Sequence, residues 1–86
     1  MEFEFDEARS RANEAKHSID FVASQVLWLD ELRVEIPARV ETEPRLMVVG
    51  LIDDKHWSAV ITHREQRVRI ISVRRSRPEE VAVYEG

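Results

Sequence analysis

Cysteine is missing from this 86-residue chain, glycine occurs twice and proline three times. Without cysteine there is no disulfide framework and no thiolate metal site. With two glycines, neither a glycine-rich phosphate loop nor a dinucleotide fingerprint can be built. G-x-S-x-G and H-E-x-x-H are absent as well. Aromatic residues make up 7% of the chain, too few for a platform on which successive bases stack. No apolar run approaches the roughly 20 residues of a membrane-spanning helix. The opening MEFEFDEA has neither the basic start nor the apolar stretch of a secretory signal. The expectation is one cytoplasmic domain over residues 1–86 with no membrane association. A chain of this size buries only about 60% of its unfolded surface. Its core is therefore thin, and its stability is modest or shared with a partner.

The composition is otherwise that of a soluble globular protein, 43% hydrophobic and 35% charged, with net charge -4. The charge is uneven. Residues 1–44 carry 11 acids against 5 Lys/Arg, and residues 45–86 carry 6 acids against 8. The stretch RVRIISVRRSR, Arg67 to Arg77, holds five arginines and no acid. A basic face suits phosphate and an acidic face suits a basic protein.

EFEF at Glu2–Phe5 alternates with period two, as a short strand does. Asp6 can cap a helix, in which Ala8, Ala12 and Ala15 form a narrow apolar stripe. Lys16 and His17 lie in its last turn, where cations suit the helix dipole. Asp20 caps a second, short helix with Phe21, Val22, Val26 and Leu27 inward. RVEIPA (Arg33–Ala38) reads as an edge strand because of Pro37, and Val40–Pro44 as a polar loop. Arg45–Ile52, His56–His63 and Arg67–Val73 are three strand-like runs joined by short polar connectors, an antiparallel meander. Pro78 opens a final helix with acids in its first turn. The order is β-α-α-β-β-β-β-α. This predicts an α+β domain: a twisted antiparallel sheet with the helices on one of its faces.

On a strand, Val68, Ile70 and Ser72 point one way, and Arg67, Arg69, Ile71 and Val73 the other. Arg74 and Arg75 follow at the strand end. Arginine offers a planar fork of donors that matches phosphate oxygens. Two readings stand for Arg67 and Arg69: ion pairs with acids of a neighbouring strand, or a phosphate site. Histidine titrates near neutral pH. His17 lies beside Lys16, whereas His56 and His63 read as surface residues and make no metal motif. Glu80 and Tyr84, four apart, share a face of the last helix. No helix carries the basic run expected for direct DNA contact. One chemistry needs only these residue types. RNA supplies its own 2′-OH nucleophile. Its cleavage asks for proton transfer and for cations around the phosphorane, with no metal or cofactor.

The landmarks together resemble the BrnT toxin family. Phe3, Phe5, Asp6, Asn13, Lys16, His17, Ile19 and Phe21 are similar to its opening pattern, and WLDE at Trp28–Glu31 to its aromatic-x-Asp segment. Arg45 and Gly50 match its Arg-led strand. Thr62, Arg64, Arg69, Ile70, Ile71, Ser72 and Arg74 match its Thr-x-Arg and Arg-Ile-Ile-Ser-Ala-Arg signature, and Glu80 and Tyr84 its closing helix. Four positions depart: Ser18 stands where the family has glycine, Val73 and Ser76 where it has alanine, and Arg75 where it has lysine. The resemblance implies a RelE-like fold and an endoribonuclease that blocks translation. It further implies neutralisation by a BrnA-like antitoxin, with operator DNA reached only through that antitoxin. It implies Arg69 and Arg74 on the RNA phosphate, or on an acidic patch of the antitoxin that covers them, Lys16 or His17 in proton transfer, and Glu80 and Tyr84 orienting or assisting. The alternative is a catalytically inactive relative that holds the antitoxin as a co-repressor module.

Overall fold

The computed structural model describes residues 1–38 and 44–86. Of the expected polar loop, only Pro44 falls among them. The elements are strand β1 (Glu2–Glu4), helix α1 (Glu7–His17), a 3-10 segment (Ala23–Leu29), strands β2 (Val34–Pro37), β3 (Leu46–Ile52), β4 (Lys55–Arg64) and β5 (Arg67–Arg75), and helix α2 (Pro78–Glu85). The element order is the one expected, except that the second helix is a 3-10 turn. The sheet order is β1-β5-β4-β3-β2. β2 to β5 form the antiparallel meander, with Pro37 on an edge strand as its missing N–H requires. The expectation of an all-antiparallel sheet is corrected by β1, which pairs parallel to β5. The crossover through α1 and the later strands makes that pairing possible, and nothing local to Glu2–Glu4 encodes it.

The β3–β4 and β4–β5 hairpins close through two-residue turns. Asp53 and Asp54 have φ of 50° and 64°, and Glu65 and Gln66 have φ of 50° and 70°. These are left-handed pairs, matching the strand twist, that Asn-Gly would fill with less strain. Changing Glu65 to Asn and Gln66 to Gly is expected to stabilise the domain by about 1 kcal/mol. For a domain of this size that raises the melting temperature by roughly 4–8 °C, as thermal denaturation followed by circular dichroism would show.

Asp6 caps α1 as expected, its Oδ1 accepting from the Ala8 and Arg9 amides at 2.8 and 3.2 Å. Ser18 ends the helix at φ 66°, the left-handed position that favours glycine. The expected alanine stripe is overturned: Ala8, Ala12 and Ala15 face solvent. α1 packs through Ser10 and Asn13, which are buried, and His17, which is half-buried. The reason is hydrogen bonding. β1 covers only Arg67–Arg69 of β5, which leaves the backbone further along that edge without a strand partner. Asn13 supplies one, its Nδ2–H donating to the Val73 carbonyl at 2.9 Å and its Oδ1 accepting from the Val73 amide at 3.1 Å. The same Nδ2 donates to the Ile19 carbonyl, and Ser10 Oγ accepts from the Phe21 amide. Polar side chains on this face answer buried donors and acceptors that alanine would leave unsatisfied.

The main core comprises Ile19, Phe21, Leu27, Val48, Ala59, Ile61, Val68, Ile70 and Val73. Asp20 braces the turn that leads into the 3-10 segment rather than capping the segment itself, accepting from the Val22 and Ala23 amides. Phe21 and Leu27 are fully buried, but Val22 and Val26 are exposed, contrary to expectation. A 3-10 turn has three residues per turn, not 3.6, so it presents a different set of side chains inward. Gly50 lets the segment approach β3, since an added Cβ would lie 3.2 Å from Leu27 Cδ2.

The helices do not share one face. α1 and the 3-10 segment pack on the side of Ala59, Ile61 and Val73. α2 lies on the other side, where Ser58 is buried and donates through Oγ to Glu80 at 2.8 Å. Two of the polar links holding α2 are Tyr84 Oη–H to Asp30 Oδ2, 2.6 Å, and His56 Nε2 with Glu85 Oε2, 2.7 Å. Only Glu80 of this helix is buried.

Candidate functional site: an arginine-bearing sheet face

The face of β5 that carries the arginines is set by one irregularity. Val60 pairs with Ser72 and Ile61 with Ile70, so Ile71 is an extra residue, a β-bulge. The inward set is therefore Val68, Ile70 and Val73, not Val68, Ile70 and Ser72. This corrects the strict alternation read from sequence. The bulge also puts Arg69 and Arg74, five residues apart, on the same side of the sheet.

Arg69 lies opposite Glu4 in the parallel pair and donates to it at 2.8 Å. Arg67 stands 3.7 Å from Glu2 and 3.8 Å from Glu4, and Arg64 stands 4.0 Å from Glu4. The ion-pair reading of Arg67 and Arg69 therefore holds. Two carboxylates, Glu2 and Glu4, against three guanidiniums leave the group cationic all the same. Arg9, Arg45, Thr62, Arg64 and Arg69 line a hollow of about 490 Å³ with Ile70 and Ile71. Among the described residues its lining carries four arginines and no acid, a setting for a polyanion.

Arg74 is held differently. Its two terminal nitrogens donate to the two oxygens of Glu80 at 2.8 and 2.7 Å. The Arg74 side chain is 22% exposed and that of Glu80 is 8% exposed. Glu80 Oε1 also accepts from the Arg77 amide at 2.9 Å, at the head of α2. The Arg74 guanidinium, aided by the Arg77 amide and Ser58, holds the Glu80 carboxyl down at about 2 against the opposing effect of burial. The pairing in turn raises Arg74. Glu80 is thus an anchored acceptor, unsuited to taking a proton at neutral pH. Tyr84 is pushed up to about 12, chiefly by its hydrogen bond to Asp30. Asp30 is lowered despite burial, because it accepts from Tyr84 and from the Leu51 and Leu32 amides. Glu80 and Tyr84 therefore order α2 on the sheet.

Lys16 and His17 stand apart from the arginine hollow. Arg9 lines that hollow beside Ile70 and Ile71, and Asn13 bonds Val73. α1 thus runs alongside β5 and carries Lys16 and His17 toward the Arg74–Arg75 end. Among the described residues, neither is tied by hydrogen bond or ion pair to Arg74. Sequence reasoning passed over Arg9, Arg45 and His63 as site residues. His63 lines a second hollow that shares Arg45 and Thr62 with the first. The two-residue turn at Glu65–Gln66 offered a signal, since it sets Thr62 opposite Arg69 and Arg64 opposite Arg67. Arg9 and Arg45 arrive from α1 and from the residue before β3, and no local pattern links them.

The family model for the ribonuclease toxin BrnT, of type II toxin–antitoxin systems, matches residues 5–80. No curated protein matches the chain.

Proposed function

Because the chain belongs to the BrnT family of ribonuclease toxins of type II toxin–antitoxin systems, we propose that it is a metal-independent RNA endonuclease of RelE-like build. It blocks translation and is neutralised by a BrnA-like antitoxin. The observation that carries the reading is the convergence of Arg9, Arg45, Arg64 and Arg69 on one hollow. Guanidinium groups from two strands, a helix and the residue before β3 converge there, as a phosphodiester and its developing negative charge require. Arg69 is the phosphate ligand in this reading. Proton transfer is assigned to a histidine or to Lys16, with His63 beside the hollow and His17 and Lys16 toward the far end of β5. Glu80 and Tyr84 act by positioning α2 and the strand end.

The test is amino-acid incorporation in bacteria after inducing the chain alone, and again with its antitoxin. A rapid fall, rescued by the antitoxin, is expected. Purified protein is expected to cut RNA equally well with EDTA present. Single His63→Ala, His17→Ala and Lys16→Ala variants then assign the proton carrier by which one lowers kcat. Loss of cleavage in EDTA would refute the metal-free mechanism.

One observation favours a second reading. Both arginines expected on phosphate are already paired, Arg69 with Glu4 and Arg74 with Glu80. A module that only holds its antitoxin would look the same, and would be harmless when induced alone.

A further inference from the structure

Beside the arginine hollow, on the same sheet face, lies a groove of about 690 Å³ with a different chemistry. Met47, Val60 and Val83 are among its apolar lining, and Arg74, Arg77, Glu79 and Glu80 are among its polar groups. Arg45 lines both hollows. A second phosphate gains little here. Apolar side chains cannot solvate it, and Glu79 and Glu80 offset two of the three arginines of the lining, the Arg74 charge being answered directly by Glu80. A nucleobase fits the lining better, having apolar faces and polar edges. Unstacked bases are commonly received on guanidinium planes. The Arg74 plane is pinned by its bidentate pair and still 22% exposed, so it is ordered before any ligand arrives.

Resting on the ribonuclease reading above, we propose that this groove seats one unstacked base of single-stranded RNA, against Val60, Met47 and the Arg74 plane, while the neighbouring phosphate lies in the arginine hollow. The protein then selects single-stranded RNA, because a duplex keeps its bases stacked and paired. Arg74 is a base-contacting residue and Arg69 a phosphate-contacting one, which separates two arginines of one strand by function.

The test uses the full chain and a short 2′-O-methyl oligoribonucleotide, which lacks the attacking hydroxyl and stays intact. An abasic oligomer of the same length and a duplex are compared with it, binding being read by fluorescence anisotropy. The intact single strand is expected to bind about tenfold tighter than the abasic one, the scale of one stacked base. Val60→Trp fills the groove and is expected to bring the intact strand down to the abasic level. Abasic affinity stays as in the wild type, which also certifies that the variant is folded. Met47→Trp should act in the same way. Equal affinity of intact and abasic strands in the wild type would overturn the base seat and leave the ribonuclease reading standing. A preference that survives both tryptophan variants would overturn its location in this groove. Failure of every oligomer to bind would overturn the arginine hollow and the seat together.

Discussion

Arg69→Ala is expected to lower RNA cleavage by about 100-fold while the protein stays folded. Removing one preorganised donor from a site of developing charge commonly has an effect of this scale. The fold should tolerate the change. Glu4 loses its 2.8 Å partner but keeps Arg64 and Arg67 within 4.0 Å, and it is partly exposed, so the stability loss is below about 1 kcal/mol. The affinity for single-stranded RNA should also become less salt-dependent, the slope of log K against log salt falling by about 0.7 for one lost phosphate contact. Steady-state cleavage, thermal denaturation and a salt titration on one preparation read all three. Full activity in Arg69→Ala would remove this residue from the site. A collapse in melting temperature would make Arg69 structural.

Glu80→Gln is expected to have the opposite profile, a large loss of stability. The substitution removes the charge and sets an amide against one of the donors that converge on Glu80 from Arg74, Ser58 and the Arg77 amide. Breaking a buried pair from one side costs about 3 kcal/mol or more, a large part of the roughly 5–10 kcal/mol that a domain of this size has in total. The pH dependence carries a matching signature. Glu80 is held at about 2 in the folded protein against 4.5 for the free group. Its contribution is therefore present in full above pH 4.5 and lost as pH falls from there toward 2, about 3 kcal/mol in all. Denaturant titrations across that window should show the wild type weakening and Glu80→Gln losing less. A double change to apolar residues, Arg74→Met with Glu80→Leu, should recover much of the stability without restoring function, because a buried ion pair is replaceable by packing. If Glu80→Gln melts with the wild type, the clasp between β5 and α2 is not holding the helix.

The two substitutions separate a group that meets the substrate from a pair that supports the surface. Their side chains lie on the same sheet face only because Ile71 bulges out of register. In an unbroken strand Arg69 and Arg74 would point to opposite sides, and the groove and the arginine hollow would not share a face. The resemblance to BrnT placed both arginines in one motif, but spacing alone argues against their acting together.

Much of the local structure was legible in the sequence. Alternation marked β1 and β2, apolar runs between polar connectors marked β3 to β5, Asp6 marked the cap of α1, Asp20 the turn before the 3-10 segment, and Pro78 the start of α2. These features depend on a few adjacent residues, because caps, turns and strand pleats are short-range matters of dihedral preference and hydrogen bonding. The tertiary structure alone decided the parallel docking of β1 on β5, the placing of α2 on the face opposite α1, and the bulge that reverses the side-chain order of β5. It also decided that Asn13 and Asp30 would answer the bare edges of β5 and β3, and that α1 would turn its alanines to water. Each of these depends on which backbone groups remain unsatisfied after distant segments have paired. That count exists only once the whole sheet is assembled.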